Sequence, residues 1–383
     1  MIEKTVSLGE VCEILDNLRK PITKKFRKQG QYPYYGATGI VDYVDNYIFD
    51  ETLVLIGEDG AKWDKGDQTA FIVTGKYWVN NHAHVIRPLK DKLNQKFLVY
   101  YLNSINLKPW VTGLTVPKLN QEKLKSIPIP LPTIDNQQLL VAKLDEAFAE
   151  IDKTIQLTEK KIIEIEQFCA QALTSIYFDK KNKSLKKLKE IVSIKGGKRL
   201  PKGKKLTTEN TGFPYIRVSD FNDDGTINLK SVKFIKAEVQ KQIERYTISS
   251  KDVYVSIAGT IGKTGIVPEI LENANLTENA VKLVPHESVD KEFLYFFTKT
   301  TSFKKQAIKQ TRTAAQPKLA LERLGKVEIP LFDLKKQIKI ISEARNIILW
   351  MKLTKENCYN KIEHLIKLKS SILIQKLRPK KAA

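Results

Sequence analysis

The chain has 383 residues, enough for two domains of ordinary size, and its hydrophobic content of 42% is too high for general disorder. Lys and Arg number 65 against 43 Asp and Glu, and the net charge of +22 indicates a polyanionic partner, most simply nucleic acid; a basic surface without a special role is the alternative. Three widely separated cysteines exclude a disulfide framework, and the lack of an apolar run of about 20 residues or a signal-peptide core predicts a cytoplasmic protein with no membrane partner.

The first globular part is expected to cover residues 1–132 and to contain short strands separated by turns rich in Gly, Asn and Asp. The β-like runs are Leu53–Ile56, Ala70–Val73, Tyr77–Val79 and Ala83–Ile86. A short helix is predicted for Gln95–Ser104, and another is expected to open at Pro117, because proline suits the first helical turn. These elements together predict a mixed, strand-rich α/β domain.

A long helix is predicted next, from Asp135 to Phe178, inside a spacer of residues 133–179. Its apolar or small residues recur in alternating steps of four and three, the heptad pattern of a coiled coil. They are Leu144, Phe148, Ile151, Ile155, Ile162, Ile165, Cys169, Ala172 and Ile176. Asp135 is expected to cap the helix, with Gln138 completing a capping box. So narrow an apolar stripe requires a partner helix.

The second half of the chain repeats the first. Pro117-Lys118-Leu119 returns as Pro317-Lys318-Leu319. Further matching pairs are Glu122/Glu322, Leu124/Leu324, Ile129/Ile329, Pro130/Pro330, Leu131/Leu331 and Gln137/Gln337, and upstream Tyr32-Pro33-Tyr34 matches Phe213-Pro214-Tyr215. An ordered series of this kind indicates a tandem repeat.

The repeat predicts a second globular part at 180–332 and a distal helix with a basic tail at 333–383. Expected strands in this part are Asp252–Ile257, Gly265–Val267 and Ala280–Val284, with a short helix at Lys291–Thr300. The second long helix is predicted for Gln337–Leu377, although Lys355 and Lys369 interrupt its apolar seam. It is the expected coiled-coil partner of the first.

Catalytic and cofactor motifs are weak. Gly262-Lys263-Thr264 resembles the end of a phosphate-binding loop, but position 257 is Ile where that loop requires Gly. His82 and His84 would share one face of a strand, but no third metal ligand stands at a recognised spacing, so polar contacts are the better interpretation. No methyltransferase tetrapeptide and no nuclease carboxylate set stands out. The sequence therefore predicts no catalytic residue, no cofactor and no metal on this chain.

Basic and aromatic residues cluster at matching places in the two globular parts, and such loops are good phosphate contacts. The candidate DNA-binding residues of the first part are Arg19, Lys20, Lys24, Lys25, Arg27, Lys28, Tyr34, Tyr35, Lys62, Asn81 and His82. Those of the second part are Lys198, Arg199, Lys202, Lys204, Lys205, Arg217, Lys263, Thr264 and Arg312. For any single lysine, a solvated surface position is an equally good interpretation, but the matching placement favours a function for the two loops.

With these features the chain resembles the specificity subunit of Type I restriction–modification systems. The resemblance covers nearly the whole chain and is carried by the duplicated segments 117–132 and 317–331, each leading into a long helix and each preceded by a divergent domain. The stretches Tyr34–Val41, Leu55–Ala61 and Ile257–Lys263 are similar to sequences common in such domains. The last of them accounts for the apparent phosphate loop.

The resemblance implies an α+β protein in which two target-recognition domains are separated by two long helices that form an antiparallel coiled coil. It implies that each domain reads one half of a split, asymmetric site in double-stranded DNA, and that the helices act as a spacer. The implied partners are two DNA methyltransferase subunits, which use S-adenosylmethionine, and two endonuclease subunits, which use ATP and magnesium and can join the complex. None of these cofactors is expected on this chain.

Three alternatives remain open from the sequence. One is an enzyme, either a nucleotide hydrolase or an unrecognised DNA-modifying enzyme. Another is a coiled-coil protein with basic heads that binds nucleic acid without sequence preference. The third is a specificity subunit with no surviving partners. Divergence between the two heads favours sequence reading, because a nonspecific binder has no need of it.

Overall fold

The computed structural model describes residues 5–113, 115–178, 184–311 and 318–377. They form two compact units: the first combines residues 5–159 with 358–377, and the second comprises residues 160–357. Each unit thus holds one globular part together with portions of both long helices. The boundaries 1–132, 133–179, 180–332 and 333–383 divide the chain by sequence repeat and stay a prediction. Among the described residues, no helix is long and apolar enough to cross a membrane.

The first unit alternates short strands and helices. Its strands are β1 (Thr5–Ser7), β2 (Cys12–Ile14), β3 (Tyr32–Gly36), β4 (Gly39–Val44), β5 (Phe49–Asp50), β6 (Leu53–Gly57), β7 (Ala70–Val73), β8 (Lys76–Val79), β9 (Ala83–Pro88) and β10 (Pro128–Pro130). Its helices are α1 (Leu8–Val11), α2 (Gln95–Ser104), α3 (Gln121–Lys125) and the start of α4 (Ile134–Tyr177). Short 3₁₀ turns cover Asp16–Leu18, Lys24–Phe26 and Lys108–Trp110.

Two four-stranded sheets form the body of this unit. One is antiparallel in the order β2-β9-β6-β7, and the other has the order β4-β3-β8-β5 with a parallel β3–β8 pair. Strand β6 is buried along its whole length because its alternate side chains enter two cores. Val54 and Ile56 pack in the core that includes α2 and α4, whereas Leu53 and Leu55 join Tyr77 of the second sheet. The uninterrupted apolar run of β6 follows from this position between two layers.

The second unit repeats these elements with two additional helices. Its strands are β11 (Leu185–Lys187), β12 (Val192–Gly196), β13 (Pro214–Ile216), β14 (Lys233–Phe234), β15 (Thr247–Ile248), β16 (Val253–Ser256), β17 (Thr264–Ile266), β18 (Ala274–Leu276), β19 (Ala280–Pro285) and β20 (Glu328–Pro330). Its helices are α5 (Leu188–Ile191), α6 (Ala237–Ile243), α7 (Lys291–Lys299), α8 (Thr301–Gln310), α9 (Leu321–Leu324) and the start of α10 (Leu334–Lys376). Further 3₁₀ turns are Val218–Asp220 and Glu269–Leu271.

Strand order confirms the tandem repeat. The sheets of the second unit run β12-β19-β16-β17 and β14-β13-β18-β15, which is the order of the first unit shifted by ten strands. The parallel pair recurs between β13 and β18, and the small sheet β1-β10 recurs as β11-β20. Helices α6 and α8 occupy parts of the chain where the second copy is longer, so the sequence spacing drifts there.

The two long helices form the predicted antiparallel coiled coil. In the first unit, Phe148 and Ile151 of α4 share a core with Leu373 of α10. In the second unit, Glu166 pairs with Lys355 and Phe168 contacts Trp350, so the residue numbers rise along one helix as they fall along the other. The apolar seam of α4 follows the prediction as far as Cys169 and then shifts to Leu173 and Tyr177, which are both buried.

The lysines that interrupt the α10 seam are accommodated by acidic residues of α4. Lys369 forms an ion pair with Asp152, with a nitrogen–oxygen distance of 2.8 Å, and its ammonium group lies over the Phe148 ring. Lys355 pairs with Glu166 in the second unit. Long lysine stems can cover apolar surface while the charged end meets an acid, so both breaks in the heptad pattern are compatible with the coil.

Two predictions about helix starts are wrong. Helix α4 begins at Ile134, so Asp135 lies within the helix; the hydroxyl oxygen of Thr133 accepts the Asn136 N–H at 3.4 Å. Helix α3 begins at Gln121, and its cap is Asn120, whose side chain accepts the Lys123 N–H at 2.9 Å. Pro117 precedes this helix by several residues, because the intervening segment runs in extended contact with Asp59 and Thr112.

Candidate nucleic-acid interface

The first basic loop, residues 19–28, connects β2 to β3. The Tyr34 hydroxyl oxygen, on β3, accepts the Ile22 N–H at 2.8 Å, and the Trp78 ring nitrogen donates to the Lys20 carbonyl at 2.5 Å. These bonds hold the loop backbone against the second sheet. The side chains of Lys20, Lys24, Lys25 and Lys28 are exposed, and none of them forms an ion pair with a carboxylate in the described part of the chain. The loop thus presents a row of available cations.

The second basic loop, residues 195–205, leaves β12 and leads to β13, the equivalent connection in the second unit. The Tyr215 hydroxyl donates to the Lys198 carbonyl at 2.7 Å, which corresponds to the Tyr34 anchor of the first loop. Gly197 is required at the loop start, because an added Cβ would lie 2.0 Å from the Thr277 carbonyl oxygen. The exposed cations of this loop are Lys195, Lys198, Arg199, Lys202, Lys204 and Lys205.

Some of these cations have acidic neighbours. Arg199 pairs with Glu278 at 2.6 Å, and Lys204 pairs with Glu238 at 2.7 Å. Burial by itself would raise the pKa of Glu278, but hydrogen bonds that include one from Arg199 outweigh it and lower the pKa. These pairs lie at the surface, so each contributes little to stability.

Arg27 and Arg217 are each committed to an intramolecular carboxylate. Arg27 lies over the Tyr34 ring and contacts Asp42 at 3.0 Å; its hydrogen bond is the main cause that lowers the pKa of Asp42. Arg217 makes a two-pronged contact with Asp220 and also donates to the Ser231 carbonyl at 2.7 Å. Both side chains are partly exposed.

Three predicted contacts are largely removed from the surface. Tyr34 is buried, as described for its loop-anchoring hydroxyl. Thr264 is also buried, and its hydroxyl lies 2.7 Å from that of Thr298. Arg19 is 13% exposed and donates to Glu58 and to the Ala83 carbonyl. The burial of Tyr34 and Thr264 and the pairing of Arg19 with Glu58 favour a supporting role for these side chains. Their role as direct DNA contacts stays a prediction.

The remaining candidates of the first unit lie in three places: Asn81 and His82 on the turn between β8 and β9, Lys62 in the loop after β6, and Tyr35 on β3. Lys62, Asn81 and His82 are exposed, whereas Tyr35 is half-buried against Phe71 and Tyr77. The Nδ1 atom of His82 contacts Asp59, so an acidic residue orients the histidine ring. These positions were predicted separately, and the fold places Asn81 beside Arg19, whose guanidinium lies 3.4 Å from the Asn81 carbonyl.

In the second unit, the apparent phosphate loop is a turn between strands. Lys263 pairs with Asp223 at 2.7 Å and is partly exposed, and a strand, β17, begins at Thr264 where a phosphate loop would begin a helix. Arg312 lies outside the described residues. The sequence-based rejection of a nucleotide site agrees with this local structure.

A buried ionic cluster was not predicted. His84 is fully buried; its Nδ1 lies 2.6 Å from Asp16, and its Nε2 lies 2.6 Å from the Leu119 carbonyl. Glu58 contacts Arg19 at 2.5 Å and Lys118 at 2.9 Å. The sequence analysis named His84 and Arg19 separately and joined neither of them to Asp16 or Glu58. Asp16 and Glu58 stand far from it along the chain, so no local spacing signals the cluster.

The charges of this cluster support one another. Burial by itself raises the pKa of Asp16, but the hydrogen bond and charge of His84, the Val85 amide and Arg19 outweigh it, and the pKa is lowered. Burial acts in the same direction on Glu58, where Lys118, Arg19 and His84 together lower the pKa. Both carboxylates are therefore held in the ionised form.

A metal ion does not fit this cluster. Oxygen and nitrogen atoms of Asp16, Glu58 and His84 lie within 4.8 Å of one another, and within the described ranges this is the one group with that arrangement. However, Arg19 and Lys118 already direct positive charge at the carboxylates, and a further cation would be repelled. His82 has a separate partner, so the two histidines do not form a joint site.

Comparisons with known proteins agree on one family. A family model described as "Type I restriction modification DNA specificity domain" matches the chain twice, at residues 3–167 and 180–364. A putative type I restriction enzyme specificity subunit of Haemophilus influenzae is 32% identical over 344 residues, which cover 88% of this chain and 85% of the relative. The MjaVIII specificity subunit of Methanocaldococcus jannaschii is 23% identical, and the alignment covers 90% of this chain and 85% of that relative.

The fold also matches a solved structure. A chain from work described as the structural basis underlying complex assembly and conformational transition of the type I R-M system aligns with a TM-score of 0.66 and 17% identity. The alignment covers 98% of this chain and 97% of the other. At this identity the match shows the shared fold.

Proposed function

The chain belongs to the family of Type I restriction modification DNA specificity domains, and from this premise we propose that its two globular parts each read one half of a split DNA site. In this family role the chain is the DNA-recognition subunit and does not itself catalyse the reaction. Residues 1–132 read one half-site and residues 180–332 read the other. The half-sites differ in sequence, because the two parts have diverged.

The observation that carries the proposal is the repeated position of the basic loops. Each loop follows the first strand of an antiparallel sheet and is anchored by an equivalent buried tyrosine, Tyr34 or Tyr215. A nonspecific binder needs positive charge but no such duplicated anchoring. Anchored backbones limit loop entropy and allow side chains to be presented in a defined register.

The proposed DNA-facing surface contains fewer residues than the set of candidates predicted from the sequence. In the first part it consists of Lys20, Lys24, Lys25, Lys28, Lys62, Asn81 and His82, with Arg27 and Tyr35 at its edge. In the second part it consists of Lys198, Arg199, Lys202, Lys204, Lys205 and Lys263, with Arg217 at its edge. Lysines supply phosphate contacts and affinity, whereas the amide of Asn81 and the ring of His82 have the hydrogen-bonding groups needed to read base edges.

The partners are methyltransferase and endonuclease subunits in the general sense of a Type I system, and we infer two of each. S-adenosylmethionine, ATP and magnesium belong to those subunits, and the complex works on DNA in the cytoplasm. Docking on the helix pair is supported by exposed apolar side chains, which soluble surfaces usually limit. In the second unit these include Ile163, Phe168 and Trp350, beside a groove of about 660 Å³ between α4 and α8.

Methylation mapping tests the proposal. Cells that carry the chain with its adenine methyltransferase are sequenced for modified bases, and the expected result is one bipartite motif with an unread gap. Mass measurement of the purified complex is expected to give two methyltransferase subunits for each specificity chain. Methylation without a sequence motif would favour nonspecific binding, and a continuous motif would contradict reading by two separate parts.

A further inference from the structure

Two residues of the buried cluster of Asp16, Glu58 and His84 have structurally equivalent positions in the second unit. The Glu58 N–H donates to the His82 carbonyl at 2.9 Å, and the Leu119 N–H donates to the Glu58 carbonyl at 2.8 Å. Equivalent bonds occur in the second unit: the Ile257 N–H donates to the Asn279 carbonyl, and the Leu319 N–H donates to the Ile257 carbonyl. Ile257 therefore corresponds to Glu58, and the strand register makes Val281 the equivalent of His84.

The second copy fills these positions with apolar side chains. Val281 is fully buried and Ile257 is 2% exposed, and both belong to a continuous hydrophobic core. Burying charges costs free energy through lost solvation, and well-packed apolar replacements of buried ion pairs are often as stable or more stable. The fold by itself therefore does not require the ionic cluster, and its presence in the first unit calls for another reason.

The cluster joins three segments at the candidate DNA surface. Arg19 begins the first basic loop and donates to the Ala83 carbonyl at 2.9 Å, at the turn that carries Asn81 and His82. The His84 ring contacts the Leu119 carbonyl, and Lys118 contacts Glu58, so the repeated Pro-Lys-Leu segment is attached as well. Both ring nitrogens of His84 thus have a polar partner inside the cluster, Asp16 for one and the Leu119 carbonyl for the other.

Charged hydrogen bonds of this kind are directional, whereas an apolar core tolerates small shifts. We propose that Asp16, Glu58, Arg19 and His84 are positioning residues that hold the turn bearing Asn81 and His82 in register with the first basic loop, and that the first half-site is read through this register. The inference rests on the proposed function of the first globular part. The second part reads its half-site with the apolar arrangement in place of the cluster.

The test transfers the apolar pair of the second copy into the first, as the double variant Glu58→Ile and His84→Val. It removes the Glu58 carboxylate and the His84 ring, and Arg19 retains its contact with Asp16 at 3.4 Å. The variant is expressed with the methyltransferase, and methylation is mapped. The expected result is that methylation at sites with the correct first half-site falls at least tenfold, or the motif becomes degenerate there, while the second half-site is unchanged.

Leu98→Val serves as the matched control. Leu98 lies on α2 and is fully buried in the core of the same unit, so this variant reports the effect of lost stability. An intact motif in the folded double variant would overturn the proposal, and so would an equal loss in the Leu98→Val control at the same thermal stability. If the double variant does not fold, Glu58→Gln replaces it: a relaxed first half-site supports the proposal and an unchanged one overturns it.

Failure of the proposed function gives a different result from failure of this inference. Without reading by two parts, the unmodified complex itself yields no split motif. With the split motif present in the unmodified complex, only the variants decide whether the cluster positions the reading turn.

Discussion

The side-chain carbonyl of Gln137, in the first turn of α4, accepts the backbone N–H of Asn94, the residue that caps α2, at 2.8 Å. The Gln137 amide donates to the Lys92 and Pro132 carbonyls, each at 2.9 Å, and the side chain is fully buried. Gln337 repeats the arrangement with the Asp290 N–H at 2.9 Å. One glutamine in each copy thus ties the start of a long helix to its globular part.

Replacing Gln137 with Leu is expected to lower the free energy of unfolding by about 2–4 kcal/mol. The change leaves a buried N–H and two carbonyl groups without their partner, and each such group costs about 1–3 kcal/mol, partly relieved by water or relaxation. Urea unfolding followed by circular dichroism measures the effect. Gln138→Leu is the control, because Gln138 is exposed, and its effect is expected to stay within about 0.5 kcal/mol. Equal effects of the two changes would contradict the anchoring role.

Replacing Lys24, Lys25 and Lys28 with Ala is expected to weaken DNA binding for all sequences alike. Each lysine that neutralises a phosphate contributes about one unit to the slope of log affinity against log salt, so the slope should fall by up to about three. The matched control replaces Lys90, Lys92 and Lys143, three exposed lysines of the same unit, and removes the same charge. Titration of labelled duplex at several salt concentrations distinguishes a contact loop from a general charge effect: identical slopes for both triple variants would refute the loop.

The buried carboxylates predict an acid-sensitive contribution to stability. The pKa values of Asp16 and Glu58 lie below their ordinary values of 3.8 and 4.5. Their stabilising effect is therefore present above those values and is lost as the pH falls through the lowered values. Arg19, Lys118 and His84 face the two carboxylates. Between pH 5 and pH 3 (roughly the range in which such groups titrate), the unmodified chain should lose more stability than the Glu58→Ile, His84→Val variant. Parallel stability curves for the two proteins would show that the cluster does not titrate with folding.

Exchanging residues 1–132 for the corresponding part of another family member is expected to change one half-site only. The two units have separate cores, and each contains its own pair of four-stranded sheets. The junction follows β10, where the chain enters the helical spacer. Methylation sequencing of the hybrid reads both half-sites in one experiment, and an altered second half-site would argue against independent reading.

Inserting four residues near Glu159–Lys161 is expected to lengthen the unread gap without changing either half-site. Four helical residues add about 6 Å of rise, and DNA rises about 3.4 Å per base pair, so the gap should grow by at most about two base pairs. A matching insertion near Lys355 preserves the pairing of Glu166 with Lys355 and the seam around it. Methylome sequencing of the insertion variant provides the measurement. Full activity with the original gap would show that the helices do not set the spacing.

The repeated architecture was accessible from the sequence because its signals are local or periodic. Heptad spacing predicted both long helices, and the apolar runs predicted β6, β7 and helix α2 nearly to the residue. The duplicated segments around Pro117 predicted that the second half would repeat the first, and the strand orders confirm it. Helix starts were less accurate, because Thr133 and Asn120 compete with other polar residues for the capping position.

Only the tertiary structure decided which candidate residues are available at the surface. Arg19, Tyr34 and Thr264 have side chains typical of DNA contacts, yet each is withdrawn by a partner distant in sequence. The ionic cluster depends on strands and loops that bring together residues separated by dozens of positions, so no spacing rule could reveal it. The sequence by itself determined the repeat, the helix pair and the basic loops, since these follow from local pattern and composition. The division between basic residues that are exposed and candidate residues that are buried was decided by packing, because burial is a property of the folded chain.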